Sequence, residues 1–146
     1  MTASDFASEF FKRYPKIYRF APTKFIDKTS SSTGTHPEAR QADEAIWLYP
    51  KFWDQDDTIR DWVFAHEIGH YVLSKYSLAK LISTLEEQGI DGWDTASLPF
   101  GESDMHEAFA SCFAEAFLNP EELQRIYPKW ERVVSKVVNR TARKGT

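Results

Sequence analysis

Residues 63–72 of the chain read VFAHEIGHYV. With Trp62 and Leu73 at its ends, this stretch carries apolar side chains on nearly every face of a helix, and a helix apolar all round is a buried one. Yet it contains His66, Glu67, Gly69 and His70. Burying two imidazoles and a carboxylate without partners costs several kcal/mol. Glycine in a helix interior costs about 1 kcal/mol relative to alanine. The fold must therefore supply polar partners here, and Gly69 predicts the close approach of a second backbone.

His66 and His70 stand one helical turn apart, so both imidazoles project from one face and can ligate a single Zn²⁺. Glu67, rotated about 100° from His66, lies beside such an ion, where it can take a proton from a bound water and hand it to a leaving amine. This is the H-E-x-x-H arrangement of metal-assisted peptide hydrolysis. A catalytic zinc takes three protein ligands and keeps an open position. A third histidine farther along the same helix is excluded, because Leu73 and Tyr76 occupy the positions of the glycine and histidine that such a motif requires.

The remaining sources are His36, His106 and the carboxylates of the segment SDMHEAFASCFAEAF. In that segment His106, Phe109, Phe113 and Phe117 form a bulky stripe. Glu107, Ala110, Ser111 and Ala114 form a stripe that is small after its glutamate. A small stripe lets the helix lie against Gly69 and brings Glu107 to the metal, so Glu107 is preferred to His106 as third ligand. Asp94 and Asp104 are further carboxylates should Glu107 fail. Ser111 is expected to hydrogen-bond a ligand histidine, as metal histidines usually require. Glu115 lies two turns beyond Glu107 as an outer-shell or solvent-facing candidate. Cys112 reads as a small buried apolar residue.

The chain has 146 residues and a net charge of −4, enough for one domain spanning 1–146 and the wrong sign for general nucleic-acid binding. Lys129, Arg132, Lys136 and Arg140 recur at helical spacing and read as a solvated helix face. A single cysteine forbids an intrachain disulfide. With no basic-then-apolar leader and no membrane-length apolar run, the expectation is a cytoplasmic protein with no membrane partner. Carriage in a virion and non-classical delivery are the alternatives.

Along the chain, SDFASEFFKRY predicts an amphipathic helix capped by Ser4 or Asp5, and KIYRFAPTKFID predicts one or two strands. KTSSSTGTHPEARQADE reads as a long exposed loop. AIWLYP reads as a strand ended by Pro50, at a sheet edge. A helix over 58–76 capped by Asp57 holds HEIGH. LAKLISTLEEQ forms a further helix, GIDGWDTASLPFGE an irregular loop, and Ser103 starts a helix reaching Leu118. Pro120 opens a terminal helix interrupted near Pro128. Strands followed by helices make the class α+β: a small N-terminal sheet packed on an active-site helix, then C-terminal helices.

AHEIGHYVL, followed downstream by Glu107 in EAFASCFAEAFLNPEEL, resembles the gluzincins, HExxH zinc metallopeptidases whose third ligand is a glutamate on a later helix. Within them it is similar to the small ImmA/IrrE-like group, with motifs like HELGHYLL and ExxANxFAxxLLMP. More distantly, EAFASCF resembles the glutamate helix of the anthrax lethal factor catalytic domain. The similarity covers about residues 46–123. It implies a minimal zincin fold, a Zn²⁺ cofactor, and a protein or peptide substrate added along an edge strand supplied by AIWLYP. Ser111 stands where that group has its asparagine, Asn119 replaces an apolar residue, and GIDGWDTASLPFG lengthens the gap between motifs. A tyrosine that would stabilise the oxyanion aligns with Phe100, which leaves Tyr71, Tyr76, His106 and His36 as oxyanion candidates.

The expected function is zinc-dependent endopeptidase action with His66, His70 and Glu107 as ligands and Glu67 as general base. The rival is a catalytically degenerate zincin-like structural or interaction protein, such as a phage or mobile-element component. Trp47, Phe52, Trp53 and Trp62 read as core side chains before they read as a substrate cleft.

Overall fold

A computed structural model describes residues 1–29 and 38–141. The protein is α+β, with a small mixed sheet among helices.

Helix α1 (Ala3–Arg13) begins at Thr2, whose hydroxyl accepts the Asp5 amide while the Asp5 carboxylate accepts the Thr2 amide. The cap is therefore a reciprocal box, two or three residues earlier than Ser4 or Asp5 would place it. The segment KIYRFAPTKFID divides into a helical turn α2 (Pro15–Tyr18) and one strand, β1 (Lys24–Asp27). Asp27 closes the unit, both its carboxylate oxygens accepting the Ala3 amide at 3.0 Å.

Strands β2 (Ala39–Ala42) and β3 (Ala45–Leu48) form a hairpin, and the sheet order is β1–β3–β2. β1 runs parallel to β3, and β2 antiparallel. This corrects the reading of AIWLYP as an edge: Ala45–Leu48 is the middle strand, and the edges are β1 and Ala39–Ala42, the latter within the segment expected to be loop. The sequence ARQA hides its role because it lacks the β-branched and aromatic residues that mark strands. It is a strand because Ile46 and Leu48 are fully buried and their strand needs a partner on each side. The connecting residues Asp43 and Glu44 both adopt positive φ, 53° and 63°, as a two-residue hairpin demands, but without the glycine that would have announced it.

A turn, α3 (Pro50–Trp53), leads into α4 (Asp57–Ser74), whose cap is Asp56, its carboxylate accepting the Ile59 amide at 2.9 Å. α5 (Leu78–Glu87) follows. Two short 3-10 turns, Thr95–Ser97 and Pro99–Gly101, precede α6 (Met105–Leu118), capped by Asp104. Helices α7 (Pro120–Ile126) and α8 (Pro128–Thr141) break at Tyr127–Pro128, where proline cannot continue the helix. On α8, Arg132 donates to Gln88 and Lys136 pairs with Glu87, so the basic face also ties α8 to α5.

One apolar core joins the sheet to α1, α4, α6 and α8. Phe6, Phe10, Phe52 and Phe64 pack edge-to-face within it, geometries worth about 0.5–1.5 kcal/mol each beyond the area buried. Phe52 and Trp53 are therefore core; Trp47 lies under the Lys28 ammonium, 4.1 Å from its ring centre. Asp61, 7% exposed, is held by the Arg13 guanidinium, which clamps α1 to α4. Among the described residues no helix is long and apolar enough to cross a membrane.

Candidate metal centre

The expected close approach occurs at Gly69. A Cβ there would stand 2.9 Å from the Ala110 Cα and 3.0 Å from the Phe113 Cβ. The small stripe of α6, with Ala110, Ser111 and Ala114 all fully buried, thus seats itself on α4, and backbone meets backbone. Phe109 and Phe113 fill the core on the adjoining stripe.

This contact delivers Glu107 to the histidines. His66 Nε2 lies 3.0 Å from Glu107 Oε2, and His70 Nε2 lies 2.9 Å from Glu107 Oε1. The two imidazoles meet edge-to-face at 4.8 Å between ring centres, with an interplanar angle of 78°. Donor atoms of His66, His70 and Glu107 all fall within 4.8 Å of one another. Asp104 fixes the start of the helix by accepting the Glu107 amide at 2.9 Å, so Asp104 caps rather than ligates. Asp94 accepts the Ser97 hydroxyl at 2.7 Å.

The centre is buried on one side and open on the other. His66 is 3% exposed, whereas the side chains of His70 and Glu107 are 20% and 18% exposed. Half-buried Trp62 stacks on His66, 5.0 Å between ring centres. Its indole N–H donates to Glu115 Oε1 at 3.0 Å. Glu115 thus meets the tryptophan that stacks on His66, and Trp62, packed against the core as expected, also borders the site.

Glu67, also 3% exposed, points to the sheet: its Oε1 accepts the backbone N–H of Gln41 at 2.9 Å. The edge strand and the buried carboxylate of HEIGH are thus in direct contact.

Comparison with family models, curated proteins and solved structures returns no match. What the centre can do follows from its own atoms. Two imidazole nitrogens and one carboxylate, converging at a partly open position, are the donor set that suits zinc, and three protein ligands with access beside them is the catalytic form of such a site. The chain's residues fit the ion.

Around these three the other expectations divide. Ser111 Oγ lies 3.3 Å from His66 Nδ1, as expected, and its hydroxyl donates to Glu102 Oε1 at 3.0 Å. Glu102 escaped the sequence reading because it lies in an irregular loop, where no periodicity assigns a direction to a side chain. His106 is exposed, on the outer side of α6. The Tyr71 hydroxyl donates to Glu44 Oε2 at 2.9 Å, and burial and that bond raise its pKa above the usual phenol value. Tyr76 OH and Thr84 Oγ1 pair at 3.0 Å in the core. Both hydroxyls thus have partners within the fold. His36 lies outside the described residues. Phe100 packs on Tyr127, 5.0 Å between ring centres. Cys112 is fully buried, and burial pushes its thiol pKa up, as an inert core residue requires.

Proposed function

We propose that the protein is a zinc-dependent endopeptidase, its metal held by His66, His70 and Glu107. One observation carries this reading: ligand atoms of His66, His70 and Glu107, brought together from α4 and α6, lie within 4.8 Å of one another at a partly open position, with Glu67 next to His66 on the same helix. A bound zinc ion supplies Lewis acidity, making water nucleophilic near neutral pH and polarising the scissile carbonyl. Glu67 accepts the water's proton at its carboxylate and returns it to the leaving amine. The Gln41 N–H fixes that carboxylate against β2, so its proton-accepting edge has a set direction.

The substrate expected is an extended peptide. Gln41 turns its N–H away from β3 and toward Glu67, and among the described residues no strand pairs with that outer edge of β2. A peptide laid along it runs beside the base, and main-chain pairing supplies affinity without demanding one side-chain sequence.

Elemental analysis of the purified protein, followed by a proteome-wide cleavage screen against a Glu67→Gln control, tests the proposal. Zinc near one equivalent with Glu67-dependent cleavage is the expected result. One observation favours the scaffold alternative, since the hydroxyls of Tyr71 and Tyr76 are committed to Glu44 and Thr84 rather than to an oxyanion. Zinc bound without any Glu67-dependent cleavage would establish that alternative.

A further inference from the structure

The loop between α5 and α6 ends in a tightly fixed turn. Leu98 and Pro99 are buried, and the Phe100 amide reaches the Tyr127 hydroxyl at 3.4 Å. Phe100 and Gly101 then take positive φ, 60° and 67°, a conformation that a phenylalanine adopts at a cost. The Glu102 amide bonds back to Pro99 O at 3.2 Å. The product of this geometry is one placement: the Glu102 carboxylate on the hydroxyl of fully buried Ser111, which in turn meets His66 Nδ1.

Proton inventory gives the chain a direction. A hydroxyl has one proton, and a carboxylate only accepts. With its proton committed to Glu102 Oε1, Ser111 can only accept from His66, so Nδ1 carries the hydrogen. That tautomer leaves the lone pair on Nε2, the atom 3.0 Å from Glu107 Oε2, an arrangement of two acceptors that is satisfied when a cation lies between them. Without Glu102 the hydroxyl is free to rotate and donate to Nδ1, which puts the hydrogen on Nε2 and blocks it as a ligand.

We infer that Glu102 is a positioning residue of the metal centre, acting through Ser111 to hold His66 in its metal-binding tautomer. The inference rests on the zinc reading above. A single hydroxyl could not do this alone, because serine donates and accepts equally well. The α5–α6 loop, otherwise only a connection, thereby becomes part of the site.

Zinc dissociation constants from chelator competition test it, with denaturation of the metal-free proteins alongside. Glu102→Ala should weaken zinc about 10–100-fold, the usual cost of losing a partner of a metal-bound histidine, and Glu102→Asp should restore part of it. Ser111→Ala should cost a similar factor. The deciding variant is the double one: Glu102→Ala added to Ser111→Ala should cost nothing further, since the relay is already cut. A loop residue acting through general stability would instead add its cost in both backgrounds and shift the metal-free denaturation midpoint. Zinc affinity of Glu102→Ala equal to wild type, or fully additive losses, overturns the inference, while loss of zinc in His66→Ala still upholds the metal centre. Wild-type zinc uptake that survives His66→Ala unchanged overturns the metal centre and the inference together.

Discussion

Glu67 and Glu107 are carboxylates within one small volume, and their neighbours give them different work. Glu107 stands between two imidazole nitrogens at 2.9 and 3.0 Å, the position of a ligand. Glu67 accepts the Gln41 amide of β2 instead, and under the proposed function it is the base. Glu67→Gln keeps shape and should retain zinc while lowering peptide hydrolysis about 10²–10⁴-fold; turnover on any substrate from the cleavage screen, with zinc content measured in parallel, checks this. Glu107→Ala should do the reverse in order, losing zinc first and activity with it. Unchanged zinc content in that variant would return the ligand role to another side chain. HExxH made His66, Glu67 and His70 legible because spacing on one helix needs no tertiary knowledge. Glu107 was legible only through the small stripe beneath it. Glu102 was not legible at all, since a turn with two positive φ angles decides where its side chain goes.

At the scale of elements, two contacts set the site. The first is α4 on α6, made possible by Gly69. Gly69→Ala gains about 1 kcal/mol in helix propensity, but its Cβ would stand 2.9 Å from a backbone atom that cannot swing aside. Overpacking of this kind costs about 1–3 kcal/mol, so the variant should be less stable, and it should bind zinc more weakly as Glu107 is pushed from the histidines. Urea denaturation and zinc titration measure the two effects. The second contact is the β2–β3 hairpin on α4. Glu44, at φ 63°, is held there by the Tyr71 hydroxyl and the Lys75 ammonium. Lys75 first, then Tyr71, draws the Glu44 carboxyl below its ordinary value of 4.5. A carboxyl depressed in the folded state contributes stability above its unfolded pKa and loses it as pH falls through the folded one. The difference in denaturation midpoint between wild type and Glu44→Gln should therefore be present at pH 7 and fade as the solution is taken well below pH 4.5. A difference that persists undiminished in acid would mean that the turn is held by something other than this charge.

Over the whole molecule, the centre joins the sheet, the α4 helix and the carboxy-terminal helical layer. An ion bound there and not by the unfolded chain stabilises by mass action, about 2.7 kcal/mol at a hundredfold excess over its dissociation constant. Added zinc should raise the melting temperature, a chelator should reverse the rise, and His70→Ala should show neither response in calorimetry. The sequence by itself determined the α+β class, the order of most helices, the buried HEIGH segment and the exclusion of a third histidine on its helix, because these follow from periodicity, caps and composition read along the chain. Tertiary structure alone decided that AIWL is the central strand and ARQA an edge, that Trp62 stacks on His66, that the Tyr71 and Tyr76 hydroxyls pair with Glu44 and Thr84, and that Glu102 reaches His66 through Ser111. Those outcomes depend on which surfaces meet across long separations in the chain. A short polar strand such as ARQA acquires its identity only from the partner beside it.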